Sequence, residues 1–184
     1  MLHVDLKTIH NWVIQGHLTG RRTKGRHLRF GRTEVVRFMR QYGYTIPESV
    51  GAAAPRVVVD QPNGEKQAWV RTLKRGSEVI VLDGLFECAL EVASGEHEIL
   101  VVNLDEREGK RVRELLAAIR GWSLASSMVV VGIGNKPAHR RSFLGAGGDV
   151  ALPGARAADV RHVARWITGI SDTCPDAIET KMES

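Results

Sequence analysis

The chain of 184 residues has room for one large domain or two small ones, and its net charge of +5 is unevenly spread. Residues 1–50 hold nine Lys/Arg against three Asp/Glu, a local +6, while the remainder stands at −1, so a basic module precedes a near-neutral one. Two cysteines exclude a disulfide framework, no apolar run approaches the ~18 residues of a membrane helix, and no signal-peptide pattern opens the chain; a cytoplasmic protein is expected.

From Val4 to Gln15 the apolar residues Leu6, Ile9, Trp12 and Val13 fall at helical spacing and predict one buried stripe. Asp5 stands where an N-cap or first-turn acid belongs. The opposite face carries Lys7, Thr8, His10 and Asn11, side chains able to bond phosphates or base edges, and Gly16 stops the helix. A basic hairpin follows, with Arg21, Arg22, Lys24, Arg26, His27 and Arg29 around a Lys24-Gly25 turn and Arg32 just beyond. Leu28 and Phe30 alternate with Arg29, as in a strand with one face on a core. Cations crowded onto so small an element repel one another unless a polyanion neutralises them, which points to nucleic acid.

Thr33 is then expected to cap a helix from Glu34 to Gln41, with Val35, Phe38 and Met39 on one face. Residues 43–55 read as a Gly/Pro/Ser/Ala linker. Beyond them the pattern changes. Apolar runs at Arg56–Asp60, Glu78–Leu82, Ile99–Val102, Met128–Val131 and Val150–Leu152 alternate with helical stretches at Gly64–Arg75, Leu85–Ser94, Gly109–Trp122, Pro137–Gly145 and Ala157–Ile167. Uniformly apolar strands between amphipathic helices predict a parallel sheet covered on both faces. The fold class is α/β, with five βα units of flavodoxin-like size and strand order 2-1-3-4-5. Cys88 falls on an apolar helical pattern and is expected to be buried. Residues 170–184 read as a polar, disordered tail.

Two resemblances follow from these residues. The stretch VDLKTIHNWVIQGHLTGRRTKGRHLRFGRTEVVRFM resembles the MerR/excisionase type of winged helix-turn-helix, with Thr8, Ile9, Trp12, Gly16 and Leu18 at matching positions over residues 2–42. That likeness implies a recognition helix placing Lys7, Thr8, His10 and Asn11 in the major groove, and a wing laid along the backbone or into the minor groove with Arg26 or Arg29 deepest. Trp12 is then core. The family opens with a further helix of roughly ten residues (compare typical helix lengths), of which Met1–Val4 match only the tail; without it Leu6, Ile9 and Trp12 lack part of their cover.

Residues 56–169, with VVVD, ILVVNLDE, VVVGIGN and GAGGDVALPGA, resemble a response-regulator receiver domain. Receivers phosphorylate themselves on an aspartate closing the third strand, beside an acidic pair that holds Mg²⁺. Carried over, the acidic pair is Val59-Asp60, the phosphoacceptor position is Asn103, the hydroxyl position is Gly132, the lysine position is Leu152 before Pro153, and the aromatic switch position is Asp149. An amide does not attack a phosphoryl group, one carboxylate is a poor Mg²⁺ trap, and nothing replaces the lysine. The resemblance implies a pseudo-receiver: no enzyme, no metal, no cofactor.

Other signals are read plainly. Gly132-Ile133-Gly134 lacks the third glycine of a nucleotide loop and is taken as a turn. Trp69, Trp122 and Trp166 are assigned to the core, and Lys136, His139, Arg140 and Arg141 to a solvated face. The expectation is a cytoplasmic, nucleoid-associated transcriptional regulator. It would bind double-stranded DNA as a homodimer paired through about Lys136 to Ile167. The alternatives are an excisionase-like DNA-bending accessory protein and a protein-interaction adaptor that does not bind DNA.

Overall fold

The computed structural model describes residues 5–22, 25–62, 68–122, 125, 127–154, 157–176 and 178–180. The larger unit is a sheet of order β4-β3-β5-β6-β7-β8. Its parallel strands are β3 (Arg56–Asp60), β4 (Glu78–Leu82), β5 (Ile99–Asn103), β6 (Val129–Ile133) and β7 (Val150–Leu152), and β8 (Glu179–Thr180) joins antiparallel to β7. The first five follow the expected 2-1-3-4-5 order.

Alternation along each strand divides the core. Val57 and Val59 face a cluster built with α4 (Ala68–Lys74) and α8 (Ala157–Ile167), where Trp69 and Trp166 are buried. Val58 faces a second cluster with α5 (Leu85–Val92), α6 (Gly109–Gly121) and α7 (Pro137–Gly145), containing Cys88, Leu116 and Phe143. Burial pushes the Cys88 thiol up to about 12, so it stays protonated and inert at neutral pH. Trp122 is half-buried against the same cluster. Outside the core, Phe86 and Leu90 on α5 are exposed.

The amino-terminal unit consists of α1 (Leu6–Ile14), the two-rung hairpin β1 (Arg21–Arg22) and β2 (Leu28–Arg29), and α2 (Arg32–Gln41). Leu18, Phe38 and Met39 form its small core, with Trp12, Phe30, Val35 and Ile46 packed around them. Trp12 lies against Phe38 at 4.7 Å between ring centroids, a core placement as expected. Gly20 lets the Phe30 ring close over the hairpin: a Cβ there would sit 2.6 Å from that ring, which would have to shift.

Several expectations need correction. The stripe on α1 is only partly buried: Ile9, Trp12 and Val13 are half-buried, whereas Leu6 is 72% exposed, and Ile14, outside the expected stripe, is 82% exposed. Gly31, not Thr33, is the N-cap of α2. Thr33 is buried in the first turn, and its hydroxyl donates to the Ser127 carbonyl at 2.8 Å. Val36, absent from the expected face, is buried. The linker contains a short helix, α3 (Glu48–Gly51). The helix expected from Gly64 is described only from Ala68.

The carboxyl-terminal stretch is no loose tail as far as Thr180. Cys174 and Ile178 pack on the core, and β8 pairs Thr180 with Val150 and Glu179 with Ala151. Arg140 is not solvated either: at 7% exposure it donates to the carbonyls of Gly134 and Asn135 and pairs with Glu179, tying α7 to β8. Since β8 occupies the outer edge of β7, part of the face from Lys136 to Ile167 is covered by the chain itself.

Candidate nucleic-acid interface and the carboxyl-end pocket

Asp5 caps α1 by accepting from the Thr8 amide at 2.7 Å, and that bond holds its carboxyl below the usual range. Lys7, His10 and Asn11 are exposed on the helix, and Thr8 is half-buried. Gly16, at φ +75°, ends it in the left-handed conformation that glycine accepts best. In the hairpin Arg21 stands directly opposite Arg29, and Arg22 opposite Leu28. Like charges facing each other across a ladder are destabilising, and a bound anion relieves the repulsion. Arg22 also donates to the Arg26 carbonyl at 3.2 Å, closing the turn in which Arg26 takes φ +60°. Arg26, His27 and Arg29 are exposed; Lys24 lies outside the described residues.

Buried Glu34 fixes the hairpin's approach, accepting from the Thr19 amide at 2.8 Å and pairing with Arg37. The unit is seated on the sheet by Arg32. Its guanidinium meets Glu98 in a fork, Nε to Oε1 at 2.7 Å and Nη2 to Oε2 at 2.6 Å, and donates to the Ala53 carbonyl at 2.6 Å. Arg40 adds a bond to the Ser171 carbonyl and lies 4.9 Å over the Trp166 ring.

At the opposite, carboxyl end of the sheet, the strands bring Asp60, Asn103, Gly132 and Leu152 into adjacent positions, with Val102 beside Gly132 and Ile133 beside Leu152. Asp60 is 0% exposed. Arg107, from the loop after β5, grips it with Nε 3.0 Å from Oδ2 and Nη2 2.7 Å from Oδ1, and reaches Asp83 at 3.2 Å. Burial pushes the Asp60 carboxyl above its ordinary range while the guanidinium opposes the rise; the pairing in turn keeps Arg107 protonated. Asn103 Oδ1 accepts from the Asp105 amide at 3.2 Å. Asp105 itself accepts from Asn135 at 2.6 Å and lies 3.3 Å from His139.

Leu104 and Phe143 close over Gly132, where a Cβ would lie 2.8 Å from each, so a hydroxyl-bearing side chain requires the core to move. Leu152 is buried. Asp149, at the switch position, is held by Arg120 and accepts from the Val130 amide at 2.7 Å. The neighbouring cavity between α6 and α7, lined by Leu104, Val112, His139 and Phe143, is about 70 Å³, below the roughly 300 Å³ of an ordinary ligand pocket. These residues do not fit Mg²⁺: the one carboxylate at the end of β3 is already committed to Arg107, and Gly132 and Leu152 supply no donor.

Arg107 carries no local sequence signature, since its partner lies 47 residues earlier. Arg56, which faces the hairpin across a cleft, was equally silent as one charge opening a run of valines.

A five-stranded parallel order with helices on both faces, extended by one antiparallel strand, defines a flavodoxin-like α/β domain. Among solved structures the chain is similar to a CheY-like protein (TadZ) of Pseudomonas aeruginosa PAO1. The two are 20% identical with a TM-score of 0.50, over 67% of this chain and 99% of that one. At that identity the likeness shows the fold alone. No family model and no curated protein matches the chain. Among the described residues no helix is long and apolar enough to cross a membrane.

Proposed function

We propose that the chain is a sequence-specific DNA-binding protein, a transcriptional regulator of the cytoplasm and nucleoid. Its amino-terminal unit acts as a MerR/excisionase-type winged helix-turn-helix. Its receiver-like domain works by dimerisation or partner docking, without aspartyl phosphorylation. The observation that carries the DNA reading is the hairpin, where Arg21 and Arg29 are forced together beside a helix exposing Lys7, His10 and Asn11. Two copies on a repeated site supply the base contacts that one small module lacks.

Fluorescence anisotropy with duplex DNA across a salt series tests the reading. Wild-type affinity should fall steeply with salt; Arg29→Ala should weaken binding to every sequence and flatten the slope by about 0.9. Asn11→Ala should change base preference instead. A chain that binds no duplex at low salt refutes the proposal. Binding accompanied by strong bending with little sequence preference would turn it toward an architectural role. Exposed Leu6 and Ile14 favour one competing reading, a protein-interaction adaptor, which predicts no salt-dependent DNA affinity.

The pocket leads to a second expected result. Asn103→Asp should take no label from acetyl phosphate in the presence of Mg²⁺, because Gly132 and Leu152 still lack the hydroxyl and amine and Arg107 still holds Asp60. Stoichiometric labelling of that variant would overturn the phosphorylation-independent reading.

A further inference from the structure

The seating of the amino-terminal unit creates a cleft of about 580 Å³ between the hairpin and the amino ends of β3 and β5. It lies at the opposite end of the strands from Asp60 and Asn103, so it owes nothing to the receiver-type pocket. One wall is the hairpin, with Arg21, Arg22 and Arg29; the other carries Arg56, the first residue of β3. Glu98 is the one carboxylate among the lining residues. Both its oxygens are held by Arg32, and Oε2 also accepts from the Arg56 amide at 3.0 Å. It therefore cannot neutralise the guanidinium groups above it. Arg21, Arg29 and Arg56 are exposed and form no ion pair among the described residues.

Two walls of like charge facing across water repel each other, and the fold holds them there. The Arg32–Glu98 fork, the Thr33–Ser127 bond and the Arg40 contacts fix the hairpin over the sheet end. The space exceeds what one phosphate fills, and cations on both walls are satisfied together by a chain of phosphates rather than by a single ion. Most of the remaining lining is polar or small (Thr19, Gly20, Gly31, Thr33, Gly95, Ser127), with Phe30 and His97 the two rings among it.

We infer that one sugar-phosphate strand of the duplex runs through this cleft, and that Arg56 of the α/β domain is a phosphate contact in its own right. The inference rests on the DNA-binding reading and adds to it: the larger domain is part of the DNA-binding surface, and its orientation on the hairpin sets the path of the backbone. Phosphate contacts of this kind position the protein without reading sequence.

The experiment uses the full chain and a short duplex of random sequence, with anisotropy titrations over a series of KCl concentrations. Arg56→Ala should weaken binding and lower the slope of log affinity against log salt by about 0.9, the loss of one phosphate contact. Arg56→Lys should keep the wild-type slope, because a point charge suffices for a phosphate. A thermal melt of Arg56→Ala matching wild type separates the effect from misfolding, and Arg29→Ala run in parallel reports the hairpin alone. If Arg29→Ala loses slope while Arg56→Ala keeps both slope and affinity, the cleft inference is wrong and DNA binding stands. If the wild-type chain binds no duplex, the DNA reading falls and takes the cleft with it.

Discussion

Replacing Arg107 by alanine should lower the unfolding free energy by about 3–5 kcal/mol at neutral pH, the usual cost of leaving one member of a buried ion pair alone. Asp60 has no exposed surface, and Arg107 is its charged partner through two donor nitrogens. Without the guanidinium, burial and the nearby Asp83 charge act on a carboxyl already raised above its ordinary range, opposed only by a backbone hydrogen bond from Asn103. The sign of the pH dependence then follows. A carboxyl whose folded pKa lies above its unfolded value carries no penalty below the unfolded pKa, near 3.9. The penalty grows as pH rises from there and is complete above the folded pKa. The deficit of the Arg107→Ala variant should therefore shrink as urea denaturation is moved from neutral pH toward about pH 4. Adding Asp60→Asn should recover most of the loss at neutral pH, since a neutral amide does not carry the penalty of an unpaired charge. A loss below about 1 kcal/mol, the scale of a surface pair, would show that Asp60 is hydrated or neutral and that Arg107 is not its charge partner.

How the pocket came to hold an internal cation also shows where sequence reasoning ends. Asn103, Gly132 and Leu152 declare themselves by residue type once the strands are placed, and the strands are legible because a parallel sheet buried on both faces needs runs such as Val57-Val58-Val59. Arg107 belongs to a loop and meets Asp60 only after two βα units have closed, so no spacing announces it. The same reason hides β8. Glu179 and Thr180 are polar, and they enter the sheet through backbone pairing with β7 and through Arg140, not through an apolar pattern. Arg140 itself looks solvated in a run of basic residues, because sequence shows its charge but not the carbonyls that surround it. On the amino-terminal unit the hairpin's charge and the Trp12 core were readable; the exposure of Leu6 agrees with the cover that the resemblance left short, whereas periodicity alone shows which face is apolar and not what lies against it.

The seat of that unit should be the next most sensitive point. Arg32 and Glu98 are only 13% and 12% exposed, and Arg32 also satisfies the Ala53 carbonyl. Arg32→Ala strands Glu98 in a largely dry site and should cost about 3 kcal/mol, the lower end for a buried pair because some water reaches it. Arg32→Lys should recover little, since an ammonium cannot match the planar fork on both carboxylate oxygens. Protease cleavage within residues 43–55 should accelerate in both variants, as the bond from Arg32 to the Ala53 carbonyl is lost. Cleavage and melting unchanged from wild type would mean that the pair does not hold the two units together. Glu98→Gln separates the seat from charge. It removes a negative group from the cleft, so electrostatics alone predicts tighter DNA binding. It also breaks the charged fork, so the hairpin and Arg56 lose their fixed relation. If the cleft works as a held pair of walls, Glu98→Gln should bind duplex more weakly and with a lower salt slope despite its greater positive charge. Tighter binding would show that Arg56 needs no particular placement opposite the hairpin.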